Sequence, residues 1–384
     1  MIPYGRQDIT DADLEAVRAV LTSDFITQGP AITAFEQAIS TQCAVKHVCA
    51  MSSATAALHV AYMALGLGAG DTIWTTPNTF VATANAALYC GADVDFIDID
   101  PRTYNLCLDT LEARLEAADK NGTLPKIVVP VHFAGQSCDM ARLGALRDTY
   151  GFFIVEDASH AVGGSYGSLP VGACEYSDIA VFSFHPVKII TTAEGGAAMT
   201  NDDTLGDKMA RLRTHGITRD PNMMVGESDG PWYYQQIELG YNYRMTDIQA
   251  ALGASQITRL ASYIDMRHTH RAAYDAELAD LPITLPHQPN FQRSALHLYP
   301  ILVQDDAPLD RKAAFIKLRE LGIGVNVLYA PVYLQPYYRG LGFKPGLCPN
   351  AEDYYNRMIT IPMYAQLSVE DRDTVVRQLH SVFG

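Results

Sequence analysis

One lysine stands out in the segment SDIAVFSFHPVKIITTAEGG, which runs from Ser177 to Gly196. Lys188 follows an apolar run that ends at Phe184, and most of its neighbours are apolar or carry a hydroxyl group. A buried ammonium group is costly unless its charge is used or given up. A lysine just beyond a buried strand therefore suggests amine chemistry, such as attack of the unprotonated amine on a carbonyl carbon.

Three further features could meet Lys188 at one edge of a sheet. The segment MSSATAALH places small hydroxyl residues directly before a helix, whose free N–H groups can hold an anion, although an ordinary serine N-cap is the more frequent reason for such a motif on its own. The apolar strand GFFIVED ends in Glu156 and Asp157, where open α/β sheets bind ligands, although an N-cap aspartate is also compatible. The next strand, DIAVFSF, carries Ser183 to the same edge.

An anion cradle, a carboxylate and an isolated lysine are together what pyridoxal phosphate (PLP) requires. Its phosphate needs N–H and hydroxyl donors, its aldehyde needs an unprotonated lysine for a Schiff base, and its ring nitrogen needs a carboxylate that keeps it protonated. Phe80, in the segment TTPNTFVATANA, could stack on the ring and fix its plane. These residues predict PLP as the cofactor.

The elements that must position these residues alternate along the first part of the chain. A first helix is predicted after the cap residue Thr10, with Leu14 and Leu21 on one apolar face. Short apolar strands such as TIWTT, DVDFIDI and KIVVPVH then alternate with helical segments, one of them near Thr79 to Tyr89. This alternation predicts an α/β fold with a mostly parallel central sheet and helices on both faces.

The remainder of the chain predicts a second, smaller unit. A long helical pattern runs from Asp247 to about Ala279, and the strand HLYPILV, the helix DRKAAFIKLRELG, the strand GVNVLYAP and a final helix from Ser368 follow. We expect a large cofactor-binding domain over residues 1–250 and a smaller C-terminal α/β domain over residues 251–384.

Composition and charge exclude several classes of function. The 28 basic residues against 43 acidic ones give a formal charge of -15, which disfavours nucleic acid as a partner. No uncharged apolar run is long enough to cross a bilayer, and the N-terminal MIPYGRQDIT is unlike a signal peptide. Seven cysteines without a C-x-x-C pair fit a cytoplasmic protein. No metal site is expected, because His268 and His270 lie on different sides of a helix.

In order and over essentially the whole chain, the motifs resemble the DegT/StrS type of fold-type I PLP-dependent aminotransferases, which act on keto sugar nucleotides. The matching segments are DFITQGP, HVCAMSSATAALH, FVATANA, IVEDASHA, VFSFHPVKIITTAEGG and YNYRMTDIQAALG. Longer strings, such as GPWYYQQIELGYNYRMTDIQAALG, are most like members that act in pseudaminic acid biosynthesis. The resemblance implies amino transfer, with L-glutamate as the expected donor, to carbon 4 of a UDP-linked 4-keto-6-deoxy-N-acetylhexosamine.

The resemblance also implies a role for each matching residue. Lys188 would be the Schiff-base lysine, Asp157 the partner of the pyridine nitrogen and His160 a neighbour of the ring's phenolic oxygen. The expected cofactor-binding residues are Ala54, Thr55, Phe80, Asp157, Ser183, Lys188 and Asn242. The expected substrate-binding residues are Tyr4, Ile26, Thr27, Gln28, Gly29, Arg244, Asn326, Val327, Leu328 and Tyr329. Asn242 would reach the phosphate in a neighbouring subunit, so a homodimer with shared active sites is expected.

Other interpretations of the same residues stay open. Leu328 and Tyr333 stand where relatives often carry histidines, which allows an aminotransferase for a different nucleotide 4-keto sugar. A PLP-dependent sugar dehydratase on the same scaffold is disfavoured, because those relatives place a histidine at the position of Lys188. A sensor without catalysis is disfavoured by the acidic composition and by the lack of any DNA-binding appendage.

Overall fold

The structure is a computed structural model that describes residues 1–384. Its helices are α1 (Asp11–Leu21), α2 (Pro30–Cys43), α3 (Ala54–Ala64), α4 (Ala82–Tyr89), α5 (Leu108–Asn121), α6 (Met140–Tyr150), α7 (Asp203–Leu212), α8 (Asp247–Ile257), α9 (Leu260–Glu277), α10 (Arg311–Glu320), α11 (Pro336–Gly340), α12 (Pro349–Arg357) and α13 (Val369–Phe383). Its strands are β1 (His47–Met51), β2 (Thr72–Thr75), β3 (Asp93–Phe96), β4 (Ile127–Val129), β5 (Phe153–Asp157), β6 (Ser165–Tyr166), β7 (Leu169–Pro170), β8 (Ile179–Ser183), β9 (Gly196–Thr200), β10 (Ile217–Thr218), β11 (Gln235–Gln236), β12 (Ile283–Thr284), β13 (Gln292–Arg293), β14 (Tyr299–Val303) and β15 (Met358–Ile361).

A seven-stranded sheet in the order β1-β9-β8-β5-β4-β2-β3 forms the centre of the larger unit. The run from β8 to β3 is parallel, whereas β9 pairs antiparallel with both β1 and β8. Every residue of β8 is buried, as expected for an apolar strand covered on both faces. Val181 shares a core with α3 and α4, whereas its neighbour Phe182 shares another with α2 and α9. The prediction of a mostly parallel α/β sheet with helices on both faces is confirmed.

The C-terminal part of the chain forms a second, three-stranded sheet. Strands β12, β14 and β15 make an antiparallel sheet, and residues of α10 and α13 pack into its core. The N-terminal Ile2 joins this unit through a bridge to Ile323. Helix α8 packs against α1 and α2, and Leu260 of α9 lies in the core of the larger unit. The division into residues 1–250 and 251–384 stays a prediction. No helix has both the length and the apolar composition needed to span a membrane.

Two predicted elements differ in the structure. The helix predicted from Asp247 to about Ala279 is two helices. The break lies at Arg259, whose backbone leaves the helical conformation at φ -103° and ψ 0° and whose N–H donates only three residues back, to the Gln256 carbonyl. The predicted strand GVNVLYAP forms only one isolated bridge, between Asn326 and Thr360, after which the chain turns toward a cavity. The helix predicted near Thr79 begins three residues later, at the start of α4.

Candidate active site

A cavity of about 460 Å³ opens where the carboxyl ends of β5 and β8 meet the start of α3. This volume lies in the range of small-molecule and cofactor sites, roughly 300–1,000 Å³. Nine of the predicted site residues line it, namely Ala54, Thr55, Phe80, Asp157, His160, Ser183, Lys188, Leu328 and Tyr329. The structure thus brings together residues that are up to 275 positions apart in the chain, from Ala54 to Tyr329.

Lys188 lies in the connection between β8 and β9. Its backbone N–H donates to the carbonyl of His185 at 2.8 Å, which closes a turn and carries the side chain to the cavity wall. Burial lowers the pKa of Lys188 to about 8, even though the negative charge of Asp157 opposes this shift. About one tenth of this amine is therefore neutral at pH 7, against roughly one in a few thousand for an ordinary lysine, and the neutral form is the one that acts as a nucleophile or a base.

Asp157 ends strand β5 and is only 5% exposed. Its Oδ2 accepts a hydrogen bond from the Thr83 hydroxyl at 2.6 Å, and its Oδ1 accepts one from the Ser159 backbone N–H at 3.2 Å. No α-helix begins after it, so the alternative of an N-cap aspartate is wrong. Two neutral donors thus fix the positions of both carboxylate oxygens at the cavity wall.

Glu156, the other carboxylate at this strand end, does not line the cavity. Its Oε2 lies 2.6 Å from His132 Nε2, and its Oε1 accepts a hydrogen bond from the Ser177 hydroxyl. Successive strand residues point to opposite faces, so only one of the two neighbouring carboxylates reaches the cavity. Glu156 and His132 form a buried structural pair.

His160 is buried beside the cavity and is held in one orientation. The Ala134 backbone N–H donates to its Nδ1 at 3.3 Å, and the Tyr329 hydroxyl lies 3.3 Å from its Nε2. An Nδ1 that accepts a hydrogen bond leaves the ring proton on Nε2. Burial and the nearby Lys188 charge lower the pKa of His160 well below its usual value, so the ring is neutral.

The start of α3 forms an anion cradle at the cavity. Ser53 caps the helix by accepting from the Ala56 N–H at 3.1 Å, while the preceding Ala54 and Thr55 N–H groups have no partner within the helix. A Cβ atom at Gly196 would lie 2.4 Å from the Ala54 nitrogen, so only glycine lets β9 pass so close beneath the cradle. The N-cap and the anion-site interpretations of MSSATAALH are therefore compatible.

The donor set fits PLP. The cradle offers N–H groups to a phosphate, Asp157 offers a buried carboxylate, and Lys188 offers a partly neutral amine in the same cavity. Phe80, at 59% exposure, presents an aromatic face beside them. No protein side chain fills the space between these groups, because they line one continuous cavity.

The other predicted site residues lie outside this cavity. The turn from Ile26 to Gly29 is fixed by Asp247, which accepts the Gly29 N–H at 2.8 Å, and Ile26 is 54% exposed. Asn242 is exposed, and its backbone is bridged to Thr214. The predicted residues that lie away from the cavity lining are Tyr4, Ile26, Thr27, Gln28, Gly29, Asn242, Arg244, Asn326 and Val327.

Two further positions differ from the sequence-based expectation. Tyr333 is fully buried, and its hydroxyl donates to Glu352, so it does not contact the cavity. Thr83, which the sequence analysis missed, lines the cavity and contacts Asp157. The signal for Thr83 was a hydroxyl residue in the alanine-rich α4 segment ATANAALY.

Comparisons with known proteins agree with this geometry. A family model described as the DegT/DnrJ/EryC1/StrS aminotransferase family matches residues 7–380. The UDP-4-amino-4,6-dideoxy-N-acetyl-beta-L-altrosamine transaminase of Campylobacter jejuni is 37% identical over 383 residues, which cover 100% of this chain and 97% of that protein.

Two solved structures show the same fold. PseC of Helicobacter pylori, an aminotransferase involved in the biosynthesis of pseudoaminic acid, superposes with a TM-score of 0.91 at 32% identity, covering 100% of this chain and 99% of that one. Spr1654 of Streptococcus pneumoniae, solved in a PLP form, superposes with a TM-score of 0.88 at 29% identity, covering 99% and 98%.

Proposed function

Since the chain belongs to the DegT/DnrJ/EryC1/StrS aminotransferase family, we propose that it uses PLP to transfer the amino group of L-glutamate to carbon 4 of a UDP-linked 4-keto-6-deoxy-N-acetylhexosamine. The observation that carries this proposal is the placement of Lys188, with its lowered pKa, beside the buried Asp157 in one cavity. The name of the full-length Campylobacter relative supports the choice of sugar.

In the proposed site, Lys188 would be both the covalent anchor and the proton carrier, and the other groups of the cavity would hold and orient the cofactor. The Ala54 and Thr55 N–H groups and the Ser183 hydroxyl would hold the cofactor's phosphate, and Phe80 would stack on its ring. Asp157 would keep a proton on the ring nitrogen. Bound PLP supplies an electron sink for the charge that develops when a substrate carbon loses a proton.

Lys188 is the proposed proton carrier. As a neutral amine that lines the cavity, its Nζ would take the proton from the α-carbon of glutamate, and the resulting ammonium group would give that proton up later in the transfer. The same Nζ moves a proton in the opposite direction when the keto sugar receives the amino group. The neutral His160, with its proton on Nε2, donates toward the Tyr329 hydroxyl, which lines the cavity, and adds no charge to the site.

The lowered pKa of Lys188 predicts how fast the cofactor-free protein captures PLP. The attacking amine must be neutral, so the capture rate should rise about tenfold per pH unit below the pKa and level off above about pH 8. Stopped-flow absorbance after mixing with PLP measures this rate. Nα-acetyl-lysine, a free amine of ordinary pKa, should keep rising beyond pH 9 as the control. A protein profile that follows the free amine would contradict the assignment.

We also propose that two copies of the chain share each active site. Asn242 lies outside the cavity of its own chain and is exposed. The preceding segment exposes large apolar side chains, with Trp232 at 69% and Leu239 at 71% exposure. Leu14 and Leu21 of α1 are exposed as well, although their spacing suggested a core-facing helix. A second copy that covers such surfaces would bury apolar area and bring Asn242 to its partner's site.

Mixing inactive variants tests the shared site. Lys188→Ala and Asn242→Ala subunits should each be inactive alone and should regain about a quarter of wild-type activity after random subunit exchange. Half of the dimers are then mixed, and one site in each mixed dimer has both residues intact. Lys188→Ala mixed with Asp157→Asn is the matched control, because both residues line one chain's cavity, and it should regain nothing. If the first mixture also stays inactive while both variants remain dimeric, the shared site is refuted.

A substrate panel tests the proposed reaction. UDP-, dTDP- and GDP-linked 4-keto-6-deoxy sugars are incubated with L-glutamate, and 2-oxoglutarate and the amino sugar are quantified by mass spectrometry. We expect the UDP-linked N-acetylated sugar to give the highest kcat/KM. Leu328 stands where relatives often carry a histidine, and it lines the cavity. A leucine cannot form a histidine's hydrogen bond to the sugar, which supports a different 4-keto sugar as the second candidate. Preference for a dTDP or GDP sugar would overturn the proposed substrate, and no transfer to any sugar would overturn the proposed reaction.

A further inference from the structure

Two buried threonine hydroxyls form a chain that ends on Asp157. The Thr83 hydroxyl lies 2.6 Å from Asp157 Oδ2, and the Thr79 hydroxyl lies 2.8 Å from the Thr83 hydroxyl. Thr83 is 0% exposed, Thr79 3% and Asp157 5%. Water therefore cannot easily replace any of these hydrogen bonds, and each group depends on its protein partners.

The direction of the chain follows from the number of protons. A hydroxyl donates one hydrogen and accepts through its lone pairs, whereas an ionised carboxylate only accepts. The Thr83 proton goes to Asp157 at 2.6 Å rather than to the Phe80 carbonyl at 3.3 Å. Thr79 then donates to Thr83, and this second hydrogen bond polarises the first one.

We infer that Thr83 is a positioning residue, which holds the Asp157 carboxylate in the orientation that pairs with the cofactor's ring nitrogen, and that Thr79 supports it. This inference rests on the proposed function. The terminal torsion of an aspartate is soft, so its carboxylate plane must be fixed from outside. Thr83 fixes Oδ2 and the Ser159 N–H fixes Oδ1, which leaves a lone pair on each oxygen for another partner.

Thr83 is well suited to this task by its position. It lies in the first turn of α4, whose neighbouring Ala82, Ala84 and Ala86 are buried, so the backbone that carries the hydroxyl is packed into the hydrophobic core. Its β-branched side chain has few accessible rotamers. The carboxylate is consequently oriented before the cofactor arrives.

Cofactor binding measures this role separately from catalysis. Dissociation constants of PLP and of 1-deazapyridoxal phosphate, which has a C–H group in place of the ring nitrogen, are determined for the cofactor-free protein and its variants. The ratio of the two constants reports only the contact between Asp157 and the ring nitrogen. Thr83→Val removes the hydroxyl at nearly constant shape, and Thr83→Ser restores it. Thr75→Val is the matched control, since the Thr75 hydroxyl is equally buried but donates to the Val129 carbonyl at 2.9 Å.

We expect the wild-type protein to prefer PLP and Thr83→Val to reduce this preference about tenfold, the typical worth of one hydrogen bond to a charged group. Thr83→Ser should recover most of it, Thr79→Val should show a smaller loss, and Thr75→Val should leave the ratio unchanged. If Thr83→Val weakens both ligands equally, or neither, the positioning role is refuted while the proposed function stands. If the wild-type protein does not prefer PLP, the pairing of Asp157 with the ring nitrogen is refuted.

Discussion

Replacing Lys188 by alanine is expected to lower amino transfer from L-glutamate to the keto sugar by on the order of 10⁴-fold, because one amine serves both as the covalent anchor and as the proton carrier. Single-turnover assays with saturating PLP measure the loss. The fold should persist, since the side chain lines a cavity and makes no hydrogen bond that supports the core. An unchanged thermal unfolding midpoint is therefore the expected companion result.

A control variant at Lys208 separates the loss of Lys188 from the loss of any positive charge. The Lys208 Nζ donates to the Ala64 carbonyl at the end of α3, away from the cavity. Lys208→Ala should keep near-normal turnover and lose at most a little stability. If Lys188→Ala retained transfer at a rate similar to Lys208→Ala, neither proposed role of Lys188 could stand.

The second large effect is expected from Asp157→Asn. The amide has the same shape but no charge to hold a proton on the ring nitrogen, so the rate should fall by about 10²–10³-fold, the usual effect of removing one preorganised electrostatic group. The amide also has only one acceptor oxygen for the two donors, the Thr83 hydroxyl and the Ser159 N–H, so one of these two contacts is lost. Rates are compared at saturating PLP, so that weaker cofactor binding is not counted as slower chemistry.

Glu156→Gln is the matched control for this change. It replaces the neighbouring carboxylate, which contacts His132 and Ser177 on the other side of the sheet. Loss of this buried pairing should lower the free energy of unfolding by about 1–3 kcal/mol, with little change in the rate per bound cofactor. If both substitutions slowed the reaction equally, the distinction between the cavity carboxylate and the structural carboxylate would be wrong.

The sequence alone was sufficient to predict the sheet edge and nine of the twenty residues that line the cavity. Lys188, Asp157 and Ser183 each follow an apolar strand, and the carboxyl ends of parallel strands necessarily meet at one edge. The cradle at Ala54 was predictable as well, because a hydroxyl residue before a helix marks its N-terminus. These predictions depend on local patterns whose consequence in space is fixed by the sheet.

The features that escaped prediction depend on contacts between distant segments. Thr83 resembles any helical threonine until α4 is packed next to β5, where its hydroxyl meets Asp157. Tyr333 falls in a segment that resembles substrate-contacting regions, yet its side chain is buried and its hydroxyl donates a hydrogen bond to Glu352. In α1 the buried residue is Asp13, which is 1% exposed and pairs with Arg259 at 2.7 Å. The leucines that predicted the buried face, Leu14 and Leu21, are exposed.

The most direct test of the central claim identifies the lysine that binds the cofactor. The PLP-loaded protein is reduced with sodium borohydride, digested with a protease and mapped by peptide mass spectrometry. The structure predicts that the mass of the reduced cofactor is added to Lys188 at near-stoichiometric yield, since burial lowers the pKa of this amine to about 8. A label on another lysine, or no covalent label while the protein remains active, would contradict the account.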